Sequence, residues 1–172
     1  MYTVESDGQQ VQVTERKFYE RLMWTAEGLE ANAERQYRSQ QQGFPDLLRD
    51  WKPFLTTMAK YSKVVSQIED KELRDLFSRL LEQTHSFLTE VDDELVAAVA
   101  NRVGLPFPQT QGKRNQLLRE MEDLIDSGIG MQTDEGYRKV LLKAEVALNE
   151  IHATKKKIDE RLAEHLARLD AS

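Results

Sequence analysis

Residues 70–102 read DKELRDLFSRLLEQTHSFLTEVDDELVAAVANR, and this stretch decides the fold class. Its apolar residues recur at steps of three and four, which is the spacing of one face of an α-helix. The members of this seam are Leu73, Phe77, Leu80, Thr84, Leu88, Val91, Leu95 and Ala98. The pattern predicts one long amphipathic helix that follows Asp70 as its N-cap.

A second long helix is predicted over residues 14–42. Thr14 suits the N-cap, Glu15 suits the positive first turn, and Gly43 suits the C-terminal end. The apolar positions of this helix are Phe18, Leu22, Ala26, Leu29, Ala33 and Tyr37. At about 1.5 Å per residue it spans roughly 40 Å, which exceeds the length of an average globular helix.

A third apolar stripe occupies residues 45–69, and Pro53 interrupts it. Because proline removes a backbone donor and distorts a helix interior, two interpretations stay open. One is a kinked helix over the whole range. The other is a single-turn lead-in followed by a helix that starts near Lys52. Both interpretations place Trp51 and Phe54 in the core.

One short and one long helix are predicted after residue 102. The stretch 104–112, GLPFPQTQG, is an irregular connection because glycine and proline interrupt helices. A short helix follows, carries apolar residues from Leu117 to Ile125, and stops at residues 127–130. A long helix then starts after Thr133 and extends to Leu169.

The N-terminal residues 1–13 alternate polar and apolar side chains around Asp7-Gly8, which is a hairpin turn signal. Because an isolated two-stranded hairpin is only marginally stable, a flexible or loosely docked arm is favoured over an ordered hairpin. The predicted fold is therefore all-α, an antiparallel up-and-down bundle of four long helices plus one short helix over residues 14–170. The N-terminal arm or hairpin precedes it.

The composition excludes several classes of function. The 172 residues carry a net charge of −6, which opposes binding to nucleic acid or to a flat anionic membrane. The chain has no cysteine, which excludes disulfides, thiolate metal sites and cysteine nucleophiles. No secretory signal and no apolar run of about 20 residues is visible, so we expect a soluble, cytoplasmic protein.

Glu82-Gln83-Thr84-His85 has the Glu-x-x-His spacing of carboxylate-bridged di-iron sites in helical bundles. Such a site needs a second pair, but Asn149 precedes His152 by three residues and Leu162 precedes His165 by three. Helical geometry also places Glu82 opposite the buried face and His85 at its flank. We therefore predict no metal site and no cofactor.

Other charged groups on the helices are predicted to be structural. His152 and His165 fall at the boundary of an amphipathic helix, and the lysine run 155–157 falls on a solvated face beside several acidic residues. The acidic cluster 92–94 lacks the ligand spacing and central glycine of a calcium loop, so it is also predicted to be solvated. No phosphate-binding loop or nucleophile elbow is present in the sequence.

The remaining feature is apolar surface. Tyr19, Met23 and Trp24 make the first long helix apolar on more than one side, and Phe107 lies in a loop where polar residues are usual. These four residues are the predicted partner-binding set, for another protein or for a second copy in a homodimer. The predicted function is a non-enzymatic interaction, adaptor or chaperone-like protein. The alternatives are a metalloprotein or oxidase using Glu82 and His85, and a peripheral granule- or membrane-associated protein.

Overall fold

The computed structural model of the protein describes residues 1–42, 52–128, 130–131 and 133–171, and it is mainly α-helical with one small sheet. The all-α prediction is confirmed at that level. The elements in chain order are β1 (Tyr2–Ser6), β2 (Gln9–Val13), α1 (Glu15–Gln42), α2 (Lys52–Val65), α3 (Lys71–Ser86), a π-helical turn (Phe87–Val91), α4 (Asp92–Val103), α5 (Gln111–Asp126) and α6 (Glu135–Ala171).

The chain divides into two compact units. Unit 1 comprises Met1–Ala31, Lys52–His85 and Glu150–Ser172. Unit 2 comprises Asn32–Trp51 and Ser86–Asn149. Helices α1 and α6 each contribute their two halves to different units.

The N-terminal residues form an ordered hairpin, which corrects the prediction that favoured a flexible arm. Asp7 and Gly8 both have positive φ, 52° and 78°, as the tight turn requires. The Tyr2 ring stacks on Phe18 with centroids 4.2 Å apart, and Val4 is buried. These contacts within unit 1 stabilise the hairpin in place of a third strand.

The outer edge of β1 is tied to the residues after α2 by a side-chain amide. The Thr3 backbone N–H donates to Gln67 Oε1 at 2.9 Å, and Gln67 Nε2 donates to the Thr3 carbonyl at 2.8 Å. The carboxamide thereby makes the pair of hydrogen bonds that a peptide group of a neighbouring strand would make.

The helices of unit 1 enclose an apolar core. The first turn of α1 is capped by Thr14, whose Oγ1 accepts from the Lys17 backbone N–H, as predicted. Asp70 caps α3 as predicted, because its Oδ1 accepts from the Leu73 N–H at 3.0 Å. The buried apolar side chains of this unit are Val4, Phe18, Tyr19, Leu22, Ala26, Leu29, Met58, Tyr61, Val65, Ile68, Leu73, Leu76, Phe77, Leu80, Leu81, Ile151, Ile158 and Leu162.

Helix α2 is described from Lys52 to Val65, so it ends four residues before the predicted position 69. Phe54 is half-buried, and the prediction that it belongs to the core is therefore wrong. The predicted end of α1 at Gly43, the start of a helix at residue 45 and the core position of Trp51 lie outside the described residues.

The long helix predicted over 70–102 contains a π-helical turn, Phe87–Val91, between α3 and α4. The wider turn shifts the helical phase, so Val99 is buried after it while the predicted seam residue Ala98 is half-buried. Asp92 follows the turn and is also buried, where its Oδ1 accepts from Gln36 Nε2 at 2.9 Å. The prediction of a wholly solvated acidic cluster is wrong at this residue.

Unit 2 has its own apolar core. Its sequence marks the C-terminal end of α4 with a glycine and the N-terminal end of α5 with a threonine cap. Gly104 ends α4 in the left-handed conformation with φ 78°, and the Leu105 N–H donates to the Ala100 carbonyl. Thr110 caps α5 through its Oγ1, which accepts from the Lys113 N–H. The buried apolar side chains are Ala33, Phe87, Leu88, Val91, Leu95, Val96, Val99, Ala100, Leu117, Met121, Met131, Tyr137, Ala144 and Leu148.

Lys155 corrects the prediction of a fully solvated lysine run. It is 5% exposed, and its Nζ donates to Asp159 Oδ1 at 2.7 Å, one helical turn later. Its long aliphatic stem allows this burial while the ammonium group stays paired. Lys156 and Lys157 are exposed, as predicted.

Candidate partner-binding groove

The Glu-x-x-His motif lies on the outer surface of α3. Glu82 and His85 are both exposed, whereas Thr84 between them is buried, which confirms the predicted orientation of the motif. Within the described ranges, no group of three or more acidic or histidine side chains has the arrangement of a metal site. The motif therefore contributes no observation in favour of an oxidase.

Tyr19 belongs to the interior of unit 1, which corrects its place in the predicted partner-binding set. It is 1% exposed, and its ring lies 5.2 Å from the His165 ring in an edge-to-face arrangement. The Tyr2 ring of the hairpin lies on another side, at 6.4 Å. Burial is the main cause that raises the pKa of the Tyr19 hydroxyl, and nearby Tyr2 and Glu15 add to it. A partner cannot reach this side chain while the hairpin is docked.

Trp24 has the opposite environment, although it lies on the same helix. It is 79% exposed, while Leu22 and Ala26 on either side of it are buried. A residue two positions from each of two buried ones points away from the core, because successive helical residues are about 100° apart. Met23 is half-buried beside it. Trp24 is therefore the member of the predicted set whose ring is largely exposed to solvent.

An apolar groove of about 450 Å³ opens next to Trp24, and we call it the Trp24 groove. It lies among the hairpin, α1 and α2, all within unit 1. Its lining residues are Val4, Glu5, Asp7, Arg21, Leu22, Trp24, Thr25, Thr57, Lys60, Tyr61 and Val64. Its volume falls within the range of pockets that hold small ligands or single side chains.

The floor of the groove is formed by buried side chains. Val4, Leu22 and Tyr61 are buried there, and the Tyr61 hydroxyl donates to the Leu22 carbonyl. Burial raises the pKa of Tyr61, so the hydroxyl stays protonated and keeps donating at neutral pH. This hydrogen bond fixes the ring at the base of the groove.

The rim of the groove carries both acidic and basic side chains. Lys60 Nζ lies 4.0 Å from Glu5 Oε1, so α2 and the hairpin approach each other through an ion pair. Arg21 is half-buried, and its guanidinium makes no hydrogen bond or ion pair with a described residue. Of the lining residues, only Trp24 was assigned a binding role from the sequence; Arg21 and Lys60 carried no signal, because the groove depends on how the hairpin docks.

A polar cluster of unit 1 holds α1, α3 and α6 together. His165 Nε2 lies 2.8 Å from Glu15 Oε1, and Arg161 Nη2 donates to Asp70 Oδ2 at 2.8 Å. His152 Nδ1 likewise lies 2.8 Å from Glu30 Oε2. Both histidines are half-buried, as the boundary positions predicted. Each histidine and the arginine of this cluster is paired with a carboxylate, so the cluster connects helices rather than presenting a reactive group.

Because of Asp70, the contribution of this cluster to the free energy of unfolding depends on pH. The Leu73 N–H and the Arg161 guanidinium both stabilise its carboxylate and hold its pKa below the ordinary value, although partial burial opposes them. A depressed folded-state pKa contributes stability above the unfolded pKa of about 3.9, and this stability is lost as the pH falls through the folded pKa. Asp70→Asn keeps the cap and removes the charge, so we expect it to lower the free energy of unfolding by about 1 kcal/mol at pH 7.

The check is urea denaturation of wild type and Asp70→Asn at pH 7 and near pH 2. The difference between the free energies of unfolding of the two proteins should shrink at the lower pH, because the wild-type carboxyl gains protons as the pH falls toward and through its folded-state pKa. Asp75→Asn, at an exposed position of the same helix, is the matched control. If Asp70→Asn lowers the free energy of unfolding equally at both pH values, the charge of Asp70 does not contribute to stability.

Phe107 lies in unit 2 and forms part of a different hollow. It is half-buried and lines a groove of about 430 Å³ with Leu105, Pro106 and Leu117. Thr110 and Lys113 at the start of α5 also border it. The predicted set of four is therefore not a single surface: Tyr19 is interior, Met23 and Trp24 belong to unit 1, and Phe107 belongs to unit 2.

Comparisons with protein-family models, curated protein sequences and solved structures find no significant match to this chain. Across the described residues, every helix is too short or too polar to cross a membrane.

Proposed function

We propose that this protein is a non-enzymatic binding module, an adaptor or chaperone-like helical protein, that holds an apolar segment of a partner protein in the Trp24 groove. The observation that carries the proposal is the 79% exposure of Trp24 beside a groove with an apolar floor. An indole in water is hydrophobic surface available for burial, and tryptophan is enriched among the residues that dominate binding energies.

The proposal includes the finer architecture predicted from the sequence, an antiparallel up-and-down bundle of four long helices plus one short helix. In unit 1 the contacts between α1 and α6 support an antiparallel pair, because Glu15 faces His165 and Glu30 faces His152. The proposal also includes a cytoplasmic location. It further includes partners other than nucleic acid, because a net charge of −6 opposes binding to a phosphate backbone.

The test is capture from a lysate of the source cells, with full-length wild type, Trp24→Ala and Leu142→Ala as baits. Leu142 is a matched control, because it is also a large exposed apolar residue, at 64%, but lies on α6 in unit 2. We expect a protein that wild type and Leu142→Ala retain and that Trp24→Ala loses by at least tenfold, because anchor truncations cost about 2 kcal/mol or more. Identical capture by all three baits would contradict the proposal.

A second copy of the chain is the other partner that the predicted apolar surface allows. Sedimentation velocity at high micromolar concentration distinguishes the two cases. A dimer of wild type that Trp24→Ala dissociates identifies the partner as this protein. A monomer removes the homodimer and leaves a different protein as the partner.

A further inference from the structure

The Trp24 groove has an asymmetric distribution of charge. Its α1 and α2 side carries Arg21 and Lys60, and its hairpin side carries Glu5 and Asp7. Helix α2 itself, KPFLTTMAKYSKVV, contains three lysines and no acidic residue, although the chain as a whole is acidic. The helical wall of the groove is therefore its positive wall.

Arg21 is the cation of this wall that remains available. The ammonium of Lys60 is 4.0 Å from Glu5, whereas the Arg21 guanidinium has no hydrogen-bond or ion-pair partner among the residues that the structure describes. Arg161, elsewhere in unit 1, is by contrast surrounded by the carboxylates of Asp70, Glu72 and Glu164. A guanidinium presents five donors in a planar fork that matches a carboxylate, so Arg21 lacks the acceptor that this geometry suits.

Building on the proposed function, we propose that the Trp24 groove recognises an acidic segment of the partner. A carboxylate of that segment binds Arg21, and a bulky apolar neighbour packs between Trp24 and the floor formed by Leu22 and Tyr61. The carboxylate lies toward the helical wall, because Asp7 at the hairpin end repels it.

A basic segment fits the same groove less well. It would be attracted to Glu5 and Asp7, but Glu5 already has Lys60 as a neighbour and Asp7 is exposed at the tip of the hairpin. A cation placed beside the helical wall would meet Arg21 and Lys60, and like charges in a partly desolvated site repel strongly. Charge complementarity therefore selects the acidic segment.

The experiment is selection of random twelve-residue peptides displayed on phage, with immobilised full-length protein as target and counter-selection on Trp24→Ala. We expect the clones that require Trp24 to be enriched in Asp or Glu together with a bulky apolar residue. Synthetic peptides from these clones should lose at least tenfold in affinity for Arg21→Glu, because a charge-assisted pair becomes a repulsive one. Arg21→Gln should give an intermediate loss.

Lys17→Glu is the matched control, since Lys17 is exposed on the same helix and does not line the groove. It changes the net charge by the same amount, so affinity should stay within about twofold of wild type. Substituting lysine for the acidic residue of a selected peptide should restore binding to Arg21→Glu.

The outcomes separate this inference from the function on which it rests. Clones that require Trp24 but show no acidic enrichment, or that bind Arg21→Glu as tightly as wild type, would overturn the acidic specificity and leave the binding function standing. Failure to obtain any clone that requires Trp24 would count against both. Far-ultraviolet circular dichroism of each variant verifies that the helices are retained.

Discussion

We expect replacement of Phe18 by alanine to lower the free energy of unfolding by about 3–5 kcal/mol. Phe18 is completely buried in unit 1, and it stacks on Tyr2 with ring centroids 4.2 Å apart. Truncation removes the transfer free energy of the ring and leaves a cavity that closely packed neighbours fill only in part. It also removes the surface on which the hairpin docks, so the effect should be near the upper end of this range.

Trp24→Ala is the control for Phe18→Ala, because it truncates an aromatic ring of the same helix at a position that is 79% exposed. We expect a change below about 0.5 kcal/mol, as for other surface substitutions. Urea denaturation followed by circular dichroism measures both variants without relying on tryptophan emission. If Trp24→Ala destabilises the protein as much as Phe18→Ala, the indole is packed in solution and the groove is not open.

Val4→Asp is expected to lower the free energy of unfolding by about 3 kcal/mol. Val4 is 3% exposed and forms part of the floor of the Trp24 groove. A carboxylate at this position would be buried without a partner, and we expect this cost to exceed the free energy that the hairpin gains by docking. The hairpin should therefore detach from the helices. The decrease in the free energy of unfolding then cannot exceed the free energy of hairpin docking.

Hydrogen exchange distinguishes this local detachment from global unfolding. Amides of β1 and β2 should lose protection in Val4→Asp, while those of the buried face of α3 keep it. Gln12→Asp is the matched control, since it introduces the same residue at an exposed position of β2. Because the hairpin forms one side of the groove, Val4→Asp should also weaken partner binding. Retained hairpin protection would show that Val4 is less tightly packed than its burial indicates.

The long helices could be predicted because their signals are local. Thr14 and Asp70 are side chains that accept from the first free backbone donors of a helix, and the structure uses both. The spacing of the apolar residues after each cap predicts which face of the helix is buried. Even so, the π-helical turn at Phe87–Val91 was not predicted, because a pattern of threes and fours does not mark a single wider turn.

The candidate site could be predicted only in part, because it depends on contacts between distant segments. Tyr19 and Trp24 are both aromatic residues of α1, and the helix alone does not say which is covered. Tyr2 of the hairpin and His165 of α6 cover Tyr19, while the Trp24 side chain is 79% exposed. Arg21 was overlooked for the same reason, since its importance comes from lying in a groove that exists only when the hairpin is docked.

The two hydrogen bonds between Gln67 and Thr3 also bear on aggregation. A hairpin with an open edge is a template on which strands of other molecules can add, and native proteins usually protect such edges. Here a glutamine side chain already occupies the place that an incoming peptide group would take on β1. Intermolecular growth of the sheet at that edge must first displace Gln67, so we expect this residue to oppose fibril formation.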